Sequence, residues 1–425
     1  MVKSDLNIEA EIEKRKLRVA KVFIWAAFFV YVLTMGSKNV FTAELVTLMD
    51  VFGTTKAETS LAMTYYFATY AVGQLILSFV MEKINLRIYL SVTGALSAVL
   101  TVLFGFMPNM QSLYVLCAAN GILQAGVFSG CMAAFGRYLP PSLLTYSNRL
   151  MTVGTGCWGV LSYGIPPIFV EKGLWNVPFF LLGGLFFISV AFFFFMFKKL
   201  RECGFDSCES LYSANNDLQK PFFVLKTRKK TALYLCVAFI VVLLNESMQY
   251  MVMNWIPNML YDVFSISQSY SILITLIVPV ISAVGSIIAI NICENAVRNV
   301  FMLSAVFTVI ALVSIFPMIF IFDLNAALSV VLIAIFIAFA AGARVVFAGI
   351  VAFKMQSQID AGSFLAATNA VGAVAAALIP PIAGSVIDSF SGVSGYGITY
   401  LLTFIIGIGS ILAILFFARW YKKQG

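Results

Sequence analysis

The sequence contains no histidine, and only 11% of its 425 residues are charged, against roughly 25% in soluble domains. Without imidazole there is no histidine metal ligand, no histidine acid or base, and no histidine proton relay. The seven cysteines, Cys117, Cys131, Cys157, Cys203, Cys208, Cys236 and Cys293, include no CxxC pair and fall mostly in apolar stretches. They read as small core hydrophobes rather than as a disulfide frame or metal site. No cluster of nucleophile and acid or base stands near an interface, which argues against an enzyme, and neither cofactor nor metal is expected. The net charge of +8 is dispersed between apolar segments instead of gathered on one face, so nucleic acid is not an expected partner.

Apolar residues are abundant, at 61% of the chain. A bilayer core of roughly 30 Å needs a helix of about 20 apolar residues. Such stretches fall near 22–46, 58–81, 88–106, 112–138, 147–170, 175–197, 232–258, 267–292, 300–321, 326–353, 361–388 and 397–418. The expected protein is an all-α, polytopic membrane protein with twelve transmembrane helices. Its predicted parts are an N-terminal segment 1–21, a six-helix bundle 22–197, a polar linker 198–231, a second six-helix bundle 232–418 and a tail 419–425. The apolar run after residue 21 is too long for a signal peptide and is expected to remain as the first helix.

Of the 27 lysines and arginines, Lys38 and Arg344 lie within apolar stretches, and Lys56 and Lys172 fall in loops on one side. The rest fall on the other side, with the two termini and the linker. This positive-inside bias predicts a multi-pass protein of the plasma membrane with both termini cytoplasmic.

Ile165-Pro166-Pro167-Ile168 in the fifth stretch recurs as Ile379-Pro380-Pro381-Ile382 in the eleventh, half a chain length later. Two parallel six-helix repeats place a substrate site between them near the bilayer midplane. Between the second and third stretches, Ser78 to Arg87 (SFVMEKINLR) resembles the Gly-x-x-x-Asp-Arg-x-Gly-Arg-Arg loop of major facilitator transporters. A degenerate copy, Asn291 to Arg298 (NICENAVR), stands in the second half. The resemblance implies pseudo-symmetric bundles and a conformational gate at Glu82, Lys83, Arg87, Glu294 and Arg298.

Within that superfamily the pattern is most similar to the organophosphate:phosphate antiporters. The resemblance rests on SKNVF at 37–41, FGTTKAETSLAMTYYFATYAVGQ at 52–74, Gly121 with Gln124 and Cys131, GIPP at 164–167 and YMVMNWIP at 250–257. Those antiporters grip phosphate with an arginine pair and a histidine, and this chain places Ser37, Gln249 and Gly159 there. Bidentate oxyanion recognition is therefore lost.

A charge within a span costs at least ~2.5–3.5 kcal/mol and points to function. Lys38, Glu246 and Arg344 are the three that qualify, and the first two, on repeat-related helices, are expected to share a central cavity and to pair when it is empty. Helical spacing adds Tyr31, Thr34, Phe41 and Thr42 beside Lys38, and Asn245, Gln249, Tyr250 and Met253 beside Glu246. Gln124 and Trp158 are further lining candidates. Glu246 is the candidate proton carrier.

The expected function is secondary transport, as antiporter or symporter, of a small anionic or zwitterionic metabolite by alternating access. The partners are that substrate, the bilayer and a proton or counter-substrate, and the protein is expected to be a monomer. The alternatives are a proton-coupled exporter of amphipathic compounds and a membrane sensor that does not transport.

Overall fold

The computed structural model describes residues 2–81, 83–205, 229–295, 300–347, 361–390 and 393–422, and among them there are helices and turns but no strand. Most of the expected linker, with Glu82 and Arg298, lies outside the described residues. The first half comprises α1 (Val2–Ala43, continued by Leu45–Phe52), α2 (Lys56–Val80), α3 (Leu86–Phe104), α4 (Met110–Gln124, continued by Val127–Tyr138), α5 (Pro141–Gly164) and α6 (Val177–Glu202). The second comprises α7 (Lys229–Met253, continued by Ile256–Phe264), α8 (Gln268–Thr275, continued by Ile277–Asn295), α9 (Val300–Ile315), α10 (Ala326–Val345), α11 (Ala361–Ser389) and α12 (Val393–Lys422).

Several helices overrun their apolar stretches. α1 begins at Val2, within the expected N-terminal segment, and α6 ends at Glu202. Lys, Glu, Arg and Leu favour helix as strongly as core residues do, so the helix outlasts the hydrophobicity. Ten helices are long and apolar enough to cross a membrane among the described residues. α2 and α5, with 25 and 24 residues, match them in length and complete the bundle.

The packing pattern repeats. In the first half α1 lies on α5 and α6, α2 on α4, and α3 on α6; in the second α7 lies on α11 and α12, α8 on α10, and α9 on α12. Each pair recurs six helices later. Within a bilayer such pairs are held by close packing rather than by exclusion from lipid, so small residues stand at the contacts. A Cβ on Gly121 of α4 would meet Tyr66 O of α2 at 2.2 Å, and one on Gly285 of α8 would meet Ala338 O of α10 at 2.1 Å. The same helix pair is thus brought together by a glycine in each repeat.

The halves meet along two seams. α2 packs extensively on α11, while α5 touches α8 more sparingly. The Thr64 hydroxyl donates to the Ala377 carbonyl across the first seam. Gly159 admits Pro279 across the second, where a Cβ would lie 2.2 Å from the ring. The duplicated IPPI behaves differently in its two copies: α5 ends at Gly164 and a short turn Pro167–Val170 follows, whereas α11 carries Pro380 and Pro381 within its length.

Candidate functional site

A cavity of about 120 Å³ lies between the halves. The first helix of each repeat breaks beside it. α1 is interrupted at Glu44, with φ −94° and ψ 12°, and α7 at Asn254 and Trp255. Broken helices free backbone and side-chain polar groups that lipid could not satisfy, which is tolerated where protein or a cavity covers them.

Lys38 lines the cavity from α1, half-buried. Its Nζ stands 4.9 Å from the Phe67 ring centroid and 5.7 Å from that of Tyr66. No carboxylate lies within 4.0 Å of it among the described residues. A desolvated ammonium held only by ring faces gains on the order of 2 kcal/mol from them, well below what an ion pair with full hydrogen bonding provides. Trp158 of α5 and Tyr250 of α7 line the same space. The Phe67 and Tyr250 rings meet edge to face at 6.2 Å, joining the halves.

Glu246 does not meet Lys38. It is buried on α7 and forms its ion pair with Arg344 Nε of α10 in the same half. Helices of one repeat pack directly, and α7 contacts α10, so the nearer cation wins over one of equal depth across the cavity. Gly372 of α11 completes this pocket, since a Cβ there would lie 3.4 Å from Glu246 Oε1. Arg344 is 42% exposed along its side chain, against 5% for Glu246.

The remaining predicted residues divide. Asn245 and Gln249 bond each other, Gln249 Nε2 donating to Asn245 Oδ1 at 2.9 Å. Gln124 ties four helices into one knot: its Oε1 accepts from the Tyr66 hydroxyl at 2.7 Å, and its Nε2 donates to Ser97 at 2.9 Å, Ser37 at 3.2 Å and Asn120 at 3.2 Å. Thr34 turns back on its own helix and donates to Val30 O at 2.6 Å. Tyr31 is buried and packs on Phe128. Gln124 thus joins helices while Asn245, Gln249 and Thr34 bond within their own, and none of these, nor Tyr31, is among the lining residues of the cavity.

At the near end, where the termini lie, Lys83 is exposed, and Arg87 lies over the Phe194 ring at 4.0 Å. The loop is anchored by Arg137 of α4, whose Nη2 donates to Met81 O at 3.1 Å. Glu82, Arg298 and the side chain of Glu294 lie outside the described residues.

The far end is sealed by contacts that sequence reading missed. Lys56 Nζ pairs with Asp262 at 3.0 Å, the Tyr396 hydroxyl donates to the same carboxylate at 2.6 Å, and the Ala57 amide donates to Asp388 at 2.9 Å. Gln268 donates to Asp50, and Ser267 to Glu171 at 3.1 Å. Burial pushes the Asp50 carboxyl above its ordinary range, with the Gln268 hydrogen bond opposing less strongly. Two side chains at the helix breaks also escaped prediction. Glu44 is fully buried with both carboxylate oxygens unpartnered, and Asn254 lines the cavity with an unpartnered Nδ2.

The family model described as Major Facilitator Superfamily matches residues 27–380. Solved structures with the same fold include a bacterial homologue of the human lysosomal transporter Spinster, inward-facing and unoccupied. It shares 12% identity and a TM-score of 0.73 over 95% of this chain and 98% of that one. A D-xylose–proton symporter gives 14% identity and a TM-score of 0.69 over 93% and 96%. In sequence, 142 residues are 28% identical to an uncharacterized transporter, BU588, of Buchnera aphidicola subsp. Acyrthosiphon pisum, covering 33% of this chain and 35% of that protein. A second uncharacterized transporter, from the Baizongia pistaciae subspecies, is 24% identical over 151 residues. The match spans about a third of the length of these curated relatives.

Proposed function

Because the chain belongs to the Major Facilitator Superfamily, we propose that it is a secondary transporter that moves a small anionic or zwitterionic metabolite across the plasma membrane by alternating access. One observation carries the reading: Lys38 lines the central cavity without a carboxylate partner among the described residues. An unpaired, desolvated cation costs stability, and an anion entering the cavity removes that cost. The sealed far end becomes the outer side when the termini are cytoplasmic, so this arrangement is a stage of the cycle with the outer gate closed.

The Glu246–Arg344 pair supports a coupling role for Glu246. A proton taken up by the carboxylate weakens its hold on Arg344, and the pair lies one helical turn from the cavity residue Tyr250. Protonation there would alter how α7 and α10 pack beside the substrate. The D-xylose–proton symporter's name shows that this fold supports proton coupling.

Uptake into proteoliposomes under an imposed pH gradient tests the reading. Labelled carboxylates, amino acids, sugars and nucleosides are compared in the unaltered protein, in Lys38→Ala and in Glu246→Gln. The expected result is accumulation of an anion or zwitterion, lost in Lys38→Ala and independent of pH in Glu246→Gln. Ligand binding without flux or counterflow in any condition would assign a sensor instead.

A further inference from the structure

Lys38 and Asn254 bring donors to the cavity from opposite halves, beside the polar groups of Thr42, Trp158 and Tyr250. Lys38 Nζ projects from α1, and Asn254 Nδ2 from the break in α7. Asn254 is only 3% exposed, and a buried amide without an acceptor calls for an explanation, because leaving it so costs about 1–3 kcal/mol. Three neighbouring polar side chains are already engaged. Asn39 Nδ2 donates to Met35 O at 2.7 Å, Asn120 Oδ1 accepts from Ser97 Oγ at 2.6 Å, and the Ser37 hydroxyl donates to Thr34 O at 2.9 Å.

No carboxylate is among the lining residues. The mid-depth acid Glu246 is held by Arg344. An ammonium group on the ligand would therefore find no acid among the lining residues and would face Lys38, a repulsion in a low-dielectric site. Much of the remaining wall is aromatic or sulfur-bearing: Phe67, Trp158, Tyr250, Met35 and Met63. Such walls accept a flat or aliphatic body.

Resting on the reading of this cavity as the transport site, we infer that its ligand is a small monocarboxylate with an apolar or aromatic body. One carboxylate oxygen is held by Lys38 and the other by Asn254, so that the ligand spans the two halves. Charge-assisted bonds to a carboxylate are about twice as strong as neutral ones. The same bonds satisfy both orphan donors, so the occupied cavity joins α1 to α7 across the gap that the empty one leaves open.

The test is equilibrium binding to the purified full chain at fixed pH 7.5, by calorimetry, with benzoate, benzyl alcohol and phenylalanine as probes. Benzoate is expected to bind, with benzyl alcohol and phenylalanine at least tenfold weaker. Asn254→Ala is expected to weaken benzoate roughly tenfold, and Asn254→Asp and Lys38→Ala to abolish it, all with unchanged elution on size exclusion. The three-probe comparison in the unaltered protein needs no variant, so a folding defect cannot shield the idea. Benzoate failing to bind at millimolar concentration, phenylalanine or benzyl alcohol binding as well as benzoate, or Asn254→Ala binding normally would each overturn it. Uptake of a sugar or nucleoside that requires Lys38 would sink this ligand class and leave the transporter intact. Benzoate binding with no flux of any monocarboxylate would do the reverse.

Discussion

The two halves hold their buried charges in opposite ways. In the first, Lys38 rests against the rings of Tyr66 and Phe67 and faces the cavity. In the second, Glu246 is enclosed and spoken for by Arg344. The helices that carry them, α1 and α7, are related by the repeat, and each breaks beside the cavity. The repeat thus keeps the scaffold and the break while the chemistry differs, and in the proposed reading one half offers its charge to a ligand and the other to a proton.

The contrast is sharpest in stability, where the two halves should respond in opposite directions. Arg344→Ala leaves Glu246 buried without its cation; because Arg344 itself is partly exposed, the cost is about 1–3 kcal/mol, below that of breaking a fully buried pair. Melting in detergent should fall accordingly, and pairing the change with Glu246→Gln should restore most of the loss. Lys38→Met, in contrast, removes a charge that has no ion-pair partner among the described residues, and melting should hold or rise. A large drop for Lys38→Met would mean that the lysine is structural, and the comparison between the halves would collapse. The second effect, on function, is the mirror image. Lys38→Met should lower substrate affinity about a hundredfold, roughly 2.7 kcal/mol at 1.4 kcal/mol per tenfold, whereas Glu246→Gln should retain binding and lose its response to pH.

How much of this was legible in the sequence follows from the same contrast. A charge in an apolar run announces itself, so Lys38, Glu246 and Arg344 were all visible. Their partners were not, because depth along a helix can be read from spacing but the choice of neighbour depends on which helices touch. Glu246 and Arg344 lie on α7 and α10 of one bundle, and that contact is set by tertiary packing. The stripe on α1 reaches the cavity at Lys38, Phe41 and Thr42 but misled at Thr34 for a related reason. Threonine can bond its own helix, as Thr34 does to Val30 O, so a hydroxyl at the right spacing need not face a cavity. Asn254 carried no charge to mark it, although Pro257 just beyond hinted at the break. The twelve-helix, two-bundle fold was readable throughout, because it rests on hydrophobic length and repetition, which belong to the chain and not to its contacts.

The far-end seal offers a third and smaller way to sharpen the comparison, since it joins the halves by charge where the cavity keeps them apart. Lys56 and Ala57 of α2 face Asp262 and Asp388 of the second half. Partly exposed contacts of this kind contribute about 1 kcal/mol each. Spin labels across the far end should therefore show the open population rising several-fold in Asp388→Asn and in Lys56→Ala, with no change in melting. An unaltered distance distribution in both variants would show that the seal is held by the α2–α11 packing alone.

The smallest expected effect is on pH. The Asp50 carboxyl is raised in the sealed state, with burial as the largest cause, and opening hydrates it and returns it towards its ordinary range. A carboxyl with the higher pKa in the sealed state binds its proton more tightly there, so acidification through the window just above the ordinary carboxylate range favours closure, and alkalinisation opposes it. Asp50 is exposed, so solvent screening keeps the effect below ~1 kcal/mol. Distances measured across the far end over a pH titration should shorten in population as pH falls, and Asp50→Asn should flatten that response. Closure that weakened on acidification would remove Asp50 from any part in the seal.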